Sequence, residues 1–459
     1  MNSIRLGLLV QRLALFFLLI GALYVLSFRL GDTSLRPWDE AWYASIARNA
    51  LRATNPLELT FNGKVFFDHP PLGFYAIATS FAILGVNELS ARLPMVIFAL
   101  LTIVVLWQIG RKLSDSRIGL MAGLILISSR WYLVRARTAN LESLLLLTQT
   151  LVFYYAYNAK DKWAYVKLWF FFALSLLSKT TISVTLLPLV LIATYRGIKE
   201  KKFDFKTTML SFLLPLIPWY GYNIIKYGKE FINQNILNIG LRGGTASGVT
   251  FENTEKILLY LRSAVHKWYL PLWGSIVVSV IFLLKRPIRW LLAYLFLVGF
   301  PYFLSTKTEV WHLLPIIPPM ALIIPTVSFL LIDKLARPKF INSLVKNIFV
   351  VGMLFIAFTS IRSFWYEFIT ERGISDEARL GAAAAKIDAP LILQDITFLP
   401  TVVFYADKKE EIKGTFRDPL AIDGIKRPFQ LITREFILKQ TKGYRIIEQY
   451  GDMILALYE

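Results

Sequence analysis

Asp39 and Glu40 stand side by side in a loop, Gly31 to Leu72, that follows the first apolar stretch of the chain. Asp68 and His69 close the same loop, pinned by Pro70 and Pro71. Further on, Arg92, Arg130, Arg135, Arg137, Glu142, Lys179, Lys307 and His312 each sit at the edge of an apolar run. A carboxylate at such an edge is suited to take a proton from a hydroxyl. Arg, Lys and His beside it are suited to hold a phosphate and to take up charge developing on it. Each residue also has a plainer reading. Asp39 and Glu40 can start a helix. Asp68-His69 can be a turn. Arg130, Arg135, Arg137, Lys307 and His312 can be interfacial anchors, and Lys179 can snorkel. Glu142, at the mouth of an apolar helix, is costly unless paired, so it needs a partner or a task.

The elements that must position these groups are set by composition. The chain has 459 residues, 56% hydrophobic, with mean hydropathy +0.52. Repeated apolar runs of about 18 or more residues mean membrane helices and exclude an ordinary soluble domain. Lys and Arg number 51 against 31 Asp and Glu, a net charge of +20. The basic clusters fall between alternate apolar runs: Arg111-Lys112-Arg117, Lys160 to Lys167, Arg196 to Lys206, Lys285-Arg286 and Asp333 to Lys346. That spacing follows the positive-inside rule, so the charge reports topology and implies no nucleic-acid partner. The absence of cysteine excludes disulfides and thiolate metal sites. Arg5 and Arg12 flank an apolar run to Leu26 that is too long for a signal peptide and lacks a small-residue cleavage site, so it reads as a retained span.

Charge and apolar length together predict about eleven spans. The first is 8–28. The segment 72–84 is too short to cross and reads as a re-entrant or interfacial helix. Its exclusion makes 94–109 the second span and leaves Arg92 outside. The third, 118–132, returns outward and delivers Arg130, Arg135, Arg137 and Glu142 to the side of Asp39. The fourth is 141–157; the fifth and sixth, 168–178 and 181–195, meet at Lys179. The seventh is 209–225. A glycine-containing outer loop, 226–267, reads as mobile. Spans at 268–284, 288–304, 313–332 and 347–359 follow, with Lys307 and His312 in an outer turn. In the loop 31–93, Trp42, Ile46 and Ala50 mark one face of a helix that Pro37 and Asp39 start.

From about residue 364 the pattern changes. Charge is dense, and the apolar runs shrink to strand length at 391–393, 429–433, 444–447 and 453–457, alternating with helices such as 376–387. The expected fold is therefore an all-α polytopic membrane domain over 1–363, with interfacial helices in its first outer loop, and a small extracytoplasmic α/β domain over 364–459. A role of this tail in selecting the acceptor is a further expectation. Under this topology the acids and cations all fall on the outer face. That combination suits a transfer reaction with an anionic, lipid-linked leaving group, in which proximity at the bilayer surface supplies much of the rate.

At this point the residues carry a resemblance. Trp38-Asp39-Glu40-Ala41-Trp42-Tyr43, Asp68-His69-Pro70-Pro71-Leu72, Arg92-Leu93-Pro94, Arg135-Ala136-Arg137, Lys179 and the turn Lys307 to Pro315 resemble, in that order, the C-type membrane glycosyltransferases. The resemblance covers about residues 1–320 and points to the branch of the aminoarabinose transferases and protein O-mannosyltransferases. It implies a polyprenyl-phosphate-linked sugar as donor and inversion at the anomeric carbon. It implies Asp39 as the catalytic carboxylate with Glu40 supporting it. It also implies donor or substrate contacts from Asp68, His69, Arg92, Arg135, Arg137, Glu142, Lys179, Lys307 and His312, with a lipid, glycan or protein as acceptor. A divalent cation is a candidate ligand of Asp39, Glu40, Asp68 and His69. By analogy the location is an inner (plasma) membrane, with the site facing outward. The chain departs from the aminoarabinose transferases where it has His69 in place of Lys, and where Asn140 and Glu142 stand instead of Asp; the aminoarabinose reaction itself is not assigned. Two contrary classes stand beside this one. A transporter or flippase would place ionisable groups near the midplane of several spans. A scaffold would not depend on Asp39.

Overall fold

The computed structural model describes residues 2–113, 115–238, 251–282, 285–303, 308–336, 338–370, 373–394, 399–408, 413–415 and 424–459. Among the described residues, five helices are long and apolar enough to cross a membrane: Leu9–Ser27, Glu88–Leu113, Ile182–Lys199, Val310–Leu335 and Lys339–Phe368. A bent pair, α5 (Arg117–Ser128) and α6 (Arg130–Ala136), makes a sixth candidate. The remaining segments expected to span fold as apolar helices that are shorter, interrupted or charged at one end. They are α7 (Glu142–Asn158), α8 (Lys162–Ser178), the run 205–227, Tyr269–Phe282 and Arg286–Phe303. The total of about eleven rests on them.

The third expected span is not one rod. α5 and α6 meet at 76°. Ser128 Oγ donates to Leu124 O at 2.6 Å and Ser129 Oγ to Ile125 O at 2.8 Å, and such back-bonding competes with the helix ladder and bends it. The break is then held from outside. Trp268 Nε1 donates to Ser128 Oγ at 2.9 Å, and Ser360 Oγ donates to Ser128 O at 2.8 Å. α4 (Glu88–Leu113) packs on α5 through glycines: a Cβ on Gly110 would lie 2.1 Å from Gly119 N, and one on Gly119 2.5 Å from Trp107 Cα. Small residues let these backbones approach where lipid offers no hydrophobic drive.

The loop after the first apolar helix is built, not loose. α2 (Asp39–Arg52) starts with two acids where the helix dipole favours them and ends with Arg52. A short hairpin, β1 (Thr60–Phe61) and β2 (Lys64–Val65), precedes α3 (Leu72–Leu84), which has the expected bounds. α3 stops at Gly85, φ 78, a conformation that favours glycine. Much of the described part of the expected outer loop 226–267 is helical. Residues 239–250 lie outside the described ones, but Phe251–Val265 is a 15-residue helix, and 232–238 is helical as well. Glycines nearby masked that helical pattern in the sequence.

The last long helix, Lys339–Thr370, runs past the expected boundary at 363. The tail then forms a five-stranded sheet in the order β4-β3-β5-β7-β6, with β3 (Leu391–Leu393), β4 (Lys413–Thr415), β5 (Phe429–Arg434), β6 (Tyr444–Tyr450) and β7 (Met453–Tyr458). β3 pairs parallel with β4 and β5, while β7 is antiparallel to β5 and β6. Helices Asp376–Ala385 and Pro400–Ala406 accompany it. One apolar core fills the helical bundle. A second core joins the first loop to the tail: Ala44, Ala47 and Phe74 share it with Leu380, Val402 and Leu455.

Candidate active site

Asp39 occupies the first turn of α2. The preceding Trp38 has φ 67 and ψ −122, a strained conformation for a residue with a side chain. Asp39 Oδ2 accepts from Arg135 Nη2 at 2.8 Å, and the same nitrogen donates to Glu142 Oε2 at 2.9 Å. Lys179 Nζ, at the end of α8, reaches the other oxygen of Glu142 at 3.3 Å. Two acids and two cations from four elements thus form one chain. The bend at Ser128–Ser129 delivers Arg135 into it. Asp39 is its more open acid, 30% exposed against 5% for Glu142. Arg135 lies over the Trp311 ring at 5.5 Å, and its buried Nε has no hydrogen-bond partner among the described residues. A buried guanidinium N–H left over is a donor waiting for an acceptor.

The rest of the loop faces the same cluster. The Tyr43 phenol lies among the carboxylates of Asp39, Glu142 and Asp68; burial first, then those charges, push it well above the usual phenol range, so it stays protonated. The His69 ring meets Tyr43 edge-on at 5.7 Å and Phe66 at 6.3 Å. His312 stacks on Tyr302 at 6.4 Å and accepts from Glu309 N through Nδ1 at 3.0 Å, closing the cap of its own helical turn. Tyr43 and Lys256 were not singled out from sequence. Lys256, on the helix Phe251–Val265, comes close enough to His312 to act on it electrostatically. Neither had a signal apart from the packing that brings it here. Lys307 lies outside the described residues.

Three expected site residues, Glu40, Arg92 and Arg137, are held by neighbouring groups. Glu40 and Arg92, each 3% exposed, form a buried pair at 2.7 Å. Glu40 also accepts from Arg36 N and Ala139 N, both at 2.9 Å. Arg92 spends its other donors on Leu30 O, Thr33 O and Ser34 O at 2.7, 3.0 and 2.9 Å. These bonds fasten 30–40 to α4 and occupy both side chains. Arg137 donates to Val25 O, Leu26 O and Phe28 O at 2.7, 3.0 and 2.6 Å, closing the carbonyl end of α1 (Asn2–Ser27). Arg130 pairs with Glu367 at an exposed edge. Among the described residues no three His, Asp or Glu side chains come together as metal ligands. Glu40, saturated by Arg92 and backbone amides, cannot complete the set Asp39, Glu40, Asp68 and His69.

Comparison with known proteins fits this architecture. Residues 68–222 match the family model of dolichyl-phosphate-mannose-protein mannosyltransferase. An uncharacterized protein of Aquifex aeolicus (strain VF5) is 26% identical over 239 residues, 48% of this chain and 46% of its own. An undecaprenyl phosphate-alpha-4-amino-4-deoxy-L-arabinose arabinosyl transferase of Pseudomonas savastanoi pv. phaseolicola (strain 1448A / Race 6) is 28% identical over 128 residues, 27% of this chain and 24% of its own. The chain therefore spans less than half the length of these curated relatives. The crystal structure of ArnT from Cupriavidus metallidurans bound to undecaprenyl phosphate superposes with a TM-score of 0.73 at 14% identity, over 97% of this chain and 98% of that one. The chain is an integral membrane protein with the C-type glycosyltransferase fold, resembling the aminoarabinose transferase and protein O-mannosyltransferase superfamily.

Proposed function

We propose that the chain transfers a sugar from a polyprenyl-phosphate donor to a hydroxyl of a lipid, glycan or protein acceptor at the outer face of the inner membrane. The observation that carries this is the Asp39–Arg135–Glu142–Lys179 chain, with the more exposed carboxylate at the head of α2. Similarity to an undecaprenyl phosphate-alpha-4-amino-4-deoxy-L-arabinose arabinosyl transferase and to the dolichyl-phosphate-mannose-protein mannosyltransferase family supports the donor class. The opposite end of α4 carries Arg111 and Lys112, which supports placing the site outside.

In this reading Asp39 takes the acceptor hydroxyl proton as that oxygen attacks the anomeric carbon. The bond from that carbon to the phosphate oxygen breaks, the electron pair leaves with polyprenyl phosphate, and the anomeric configuration inverts. Arg135, through its uncommitted Nε, and Lys179 face the developing phosphate charge. Glu142 holds both cations in place. Tyr43 is a protonated donor beside them, and Asp68 and His69 line the same side. Glu40, Arg92 and Arg137 are assigned to support. The test is incubation of the full-length protein in vesicles with polyprenyl-phosphate hexoses and pentoses and a candidate acceptor lipid or peptide. The expected result is release of one polyprenyl phosphate per glycosylated acceptor. Movement of intact donor between leaflets, without cleavage, would instead support a flippase.

A further inference from the structure

The helix that carries Asp39 is gripped at its far end by the tail. Arg48, 5% exposed, donates to Phe404 O at 2.5 Å and Val403 O at 3.4 Å, lies over the Phe404 ring at 5.0 Å, and reaches Asp407 at 3.1 Å. Those carbonyls lie in the last turn of the helix Pro400–Ala406, where helix carbonyls look outward for partners. Arg52 takes Asp407 with both nitrogens, at 2.6 and 2.9 Å, a fork geometry that fixes direction as well as distance. Asp407 itself has left-handed backbone, φ 40, which Asp and Asn tolerate.

A second grip holds the approach to Asp39. Leu35 N donates to Tyr405 Oη at 3.0 Å, and Tyr405 Oη donates to Glu88 at 2.6 Å. Ser34 N donates to Gly373 O at 3.3 Å, and Ser375 N donates to Ser34 Oγ at 3.0 Å. Between the grips, α2 and the tail share one core, with Ala44, Ala47 and Ala50 in it beside Leu399, Val402 and Phe404. Trp38, with φ 67, lies between these two fixed points. Such backbone persists only where the surroundings over-determine it, and its torsions set where the next side chain, Asp39, points.

We propose that the C-terminal sheet domain is a clamp on α2, and that Tyr405 and Asp407 are positioning residues for Asp39. This rests on the transferase reading, which gives Asp39 its task. Tyr405→Phe removes one hydroxyl; Asp407→Asn keeps shape and left-handed backbone and removes the charge. Each is made in the full-length protein. Turnover is measured with polyprenyl-phosphate sugars, and amide hydrogen exchange is followed over 39–52, with α7 as internal control. The expected result is kcat lower by about 10- to 100-fold, as for a small misplacement of a reacting group, with donor KM little changed and faster exchange in α2 alone. Wild-type kcat in both variants overturns the positioning role, even if thermal stability falls. Unchanged exchange in α2 overturns the clamp. If the wild type itself transfers no sugar, the transferase reading fails, and exchange in α2 still decides whether the tail holds that helix.

Discussion

Glu40→Gln tests the pair that seats the loop carrying Asp39. Glu40 accepts four hydrogen bonds, from Arg92 Nε, Arg92 Nη2, Arg36 N and Ala139 N. An amide keeps one accepting oxygen and puts an NH2 where the other oxygen took two of these donors. It also leaves Arg92, 3% exposed, as a buried charge without its counter-ion. Breaking such a pair on one side costs about 3–5 kcal/mol. Replacing both members with apolar groups is often neutral, but Arg92 also holds three backbone carbonyls, each costing about 1–3 kcal/mol when orphaned in the interior. Glu40→Gln/Arg92→Met is therefore expected to stay destabilised. The assay is thermal unfolding of the detergent-solubilised full chain at neutral pH. A wild-type midpoint for Glu40→Gln, or recovery in the double variant, would refute the reasoning. The sign with pH follows from the pair. Burial raises the Glu40 pKa, but the Arg92 charge, its hydrogen bonds and the two amides outweigh it, and the net shift is below the ordinary 4.5. Its contribution is thus full above the unfolded value and is lost as pH falls through the lower folded one. Glu40→Gln should flatten that acid limb.

Arg135→Gln removes the cation between Asp39 and Glu142 and should lower turnover by about 10²- to 10³-fold; steady-state kinetics check it, with Arg135→Lys falling short of full rescue because an ammonium lacks the separate Nε donor. Arg137→Met should lower the thermal midpoint through the lost cap on α1, by about 1–3 kcal/mol, while kcat and donor KM stay close to wild type. Gly119→Ala should cost about 1–3 kcal/mol or more by overpacking α4 against α5, whereas Gly274→Ala, with open space around it, should not; thermal unfolding of the two variants side by side decides.

Much of the fold was legible because length and apolar pattern dictate it. α3 is too short to span and folds over the residues its apolar run marks. The tail strands at 391–393, 429–434 and 453–458 follow short apolar runs between charged stretches. The head of α2, and Lys179 at a helix junction, were legible for the same reason. The break at Ser128–Ser129 was hidden, because the apolar pattern runs straight through it and only side-chain back-bonding turns the chain. Charge placement predicts a side for Arg92 and Arg137 but not what they hold. Their acceptors are mostly backbone carbonyls, which carry no sequence signature. Tyr43 stands in the stretch Trp38 to Tyr43, but only packing sets its phenol near three carboxylates. The tail's apolar residues read as a core of their own, yet part of that core belongs to α2.

The central claim is that Asp39 removes the acceptor proton. The direct measurement is transfer from polyprenyl-phosphate sugar by the wild type and by Asp39→Asn, with donor binding followed in parallel. The substitution keeps an oxygen for Arg135 and removes the base. The account predicts turnover lower by about 10²- to 10⁴-fold with donor binding and folding retained. Equal turnover in the two proteins would contradict it and move the base to Asp68 or Glu142.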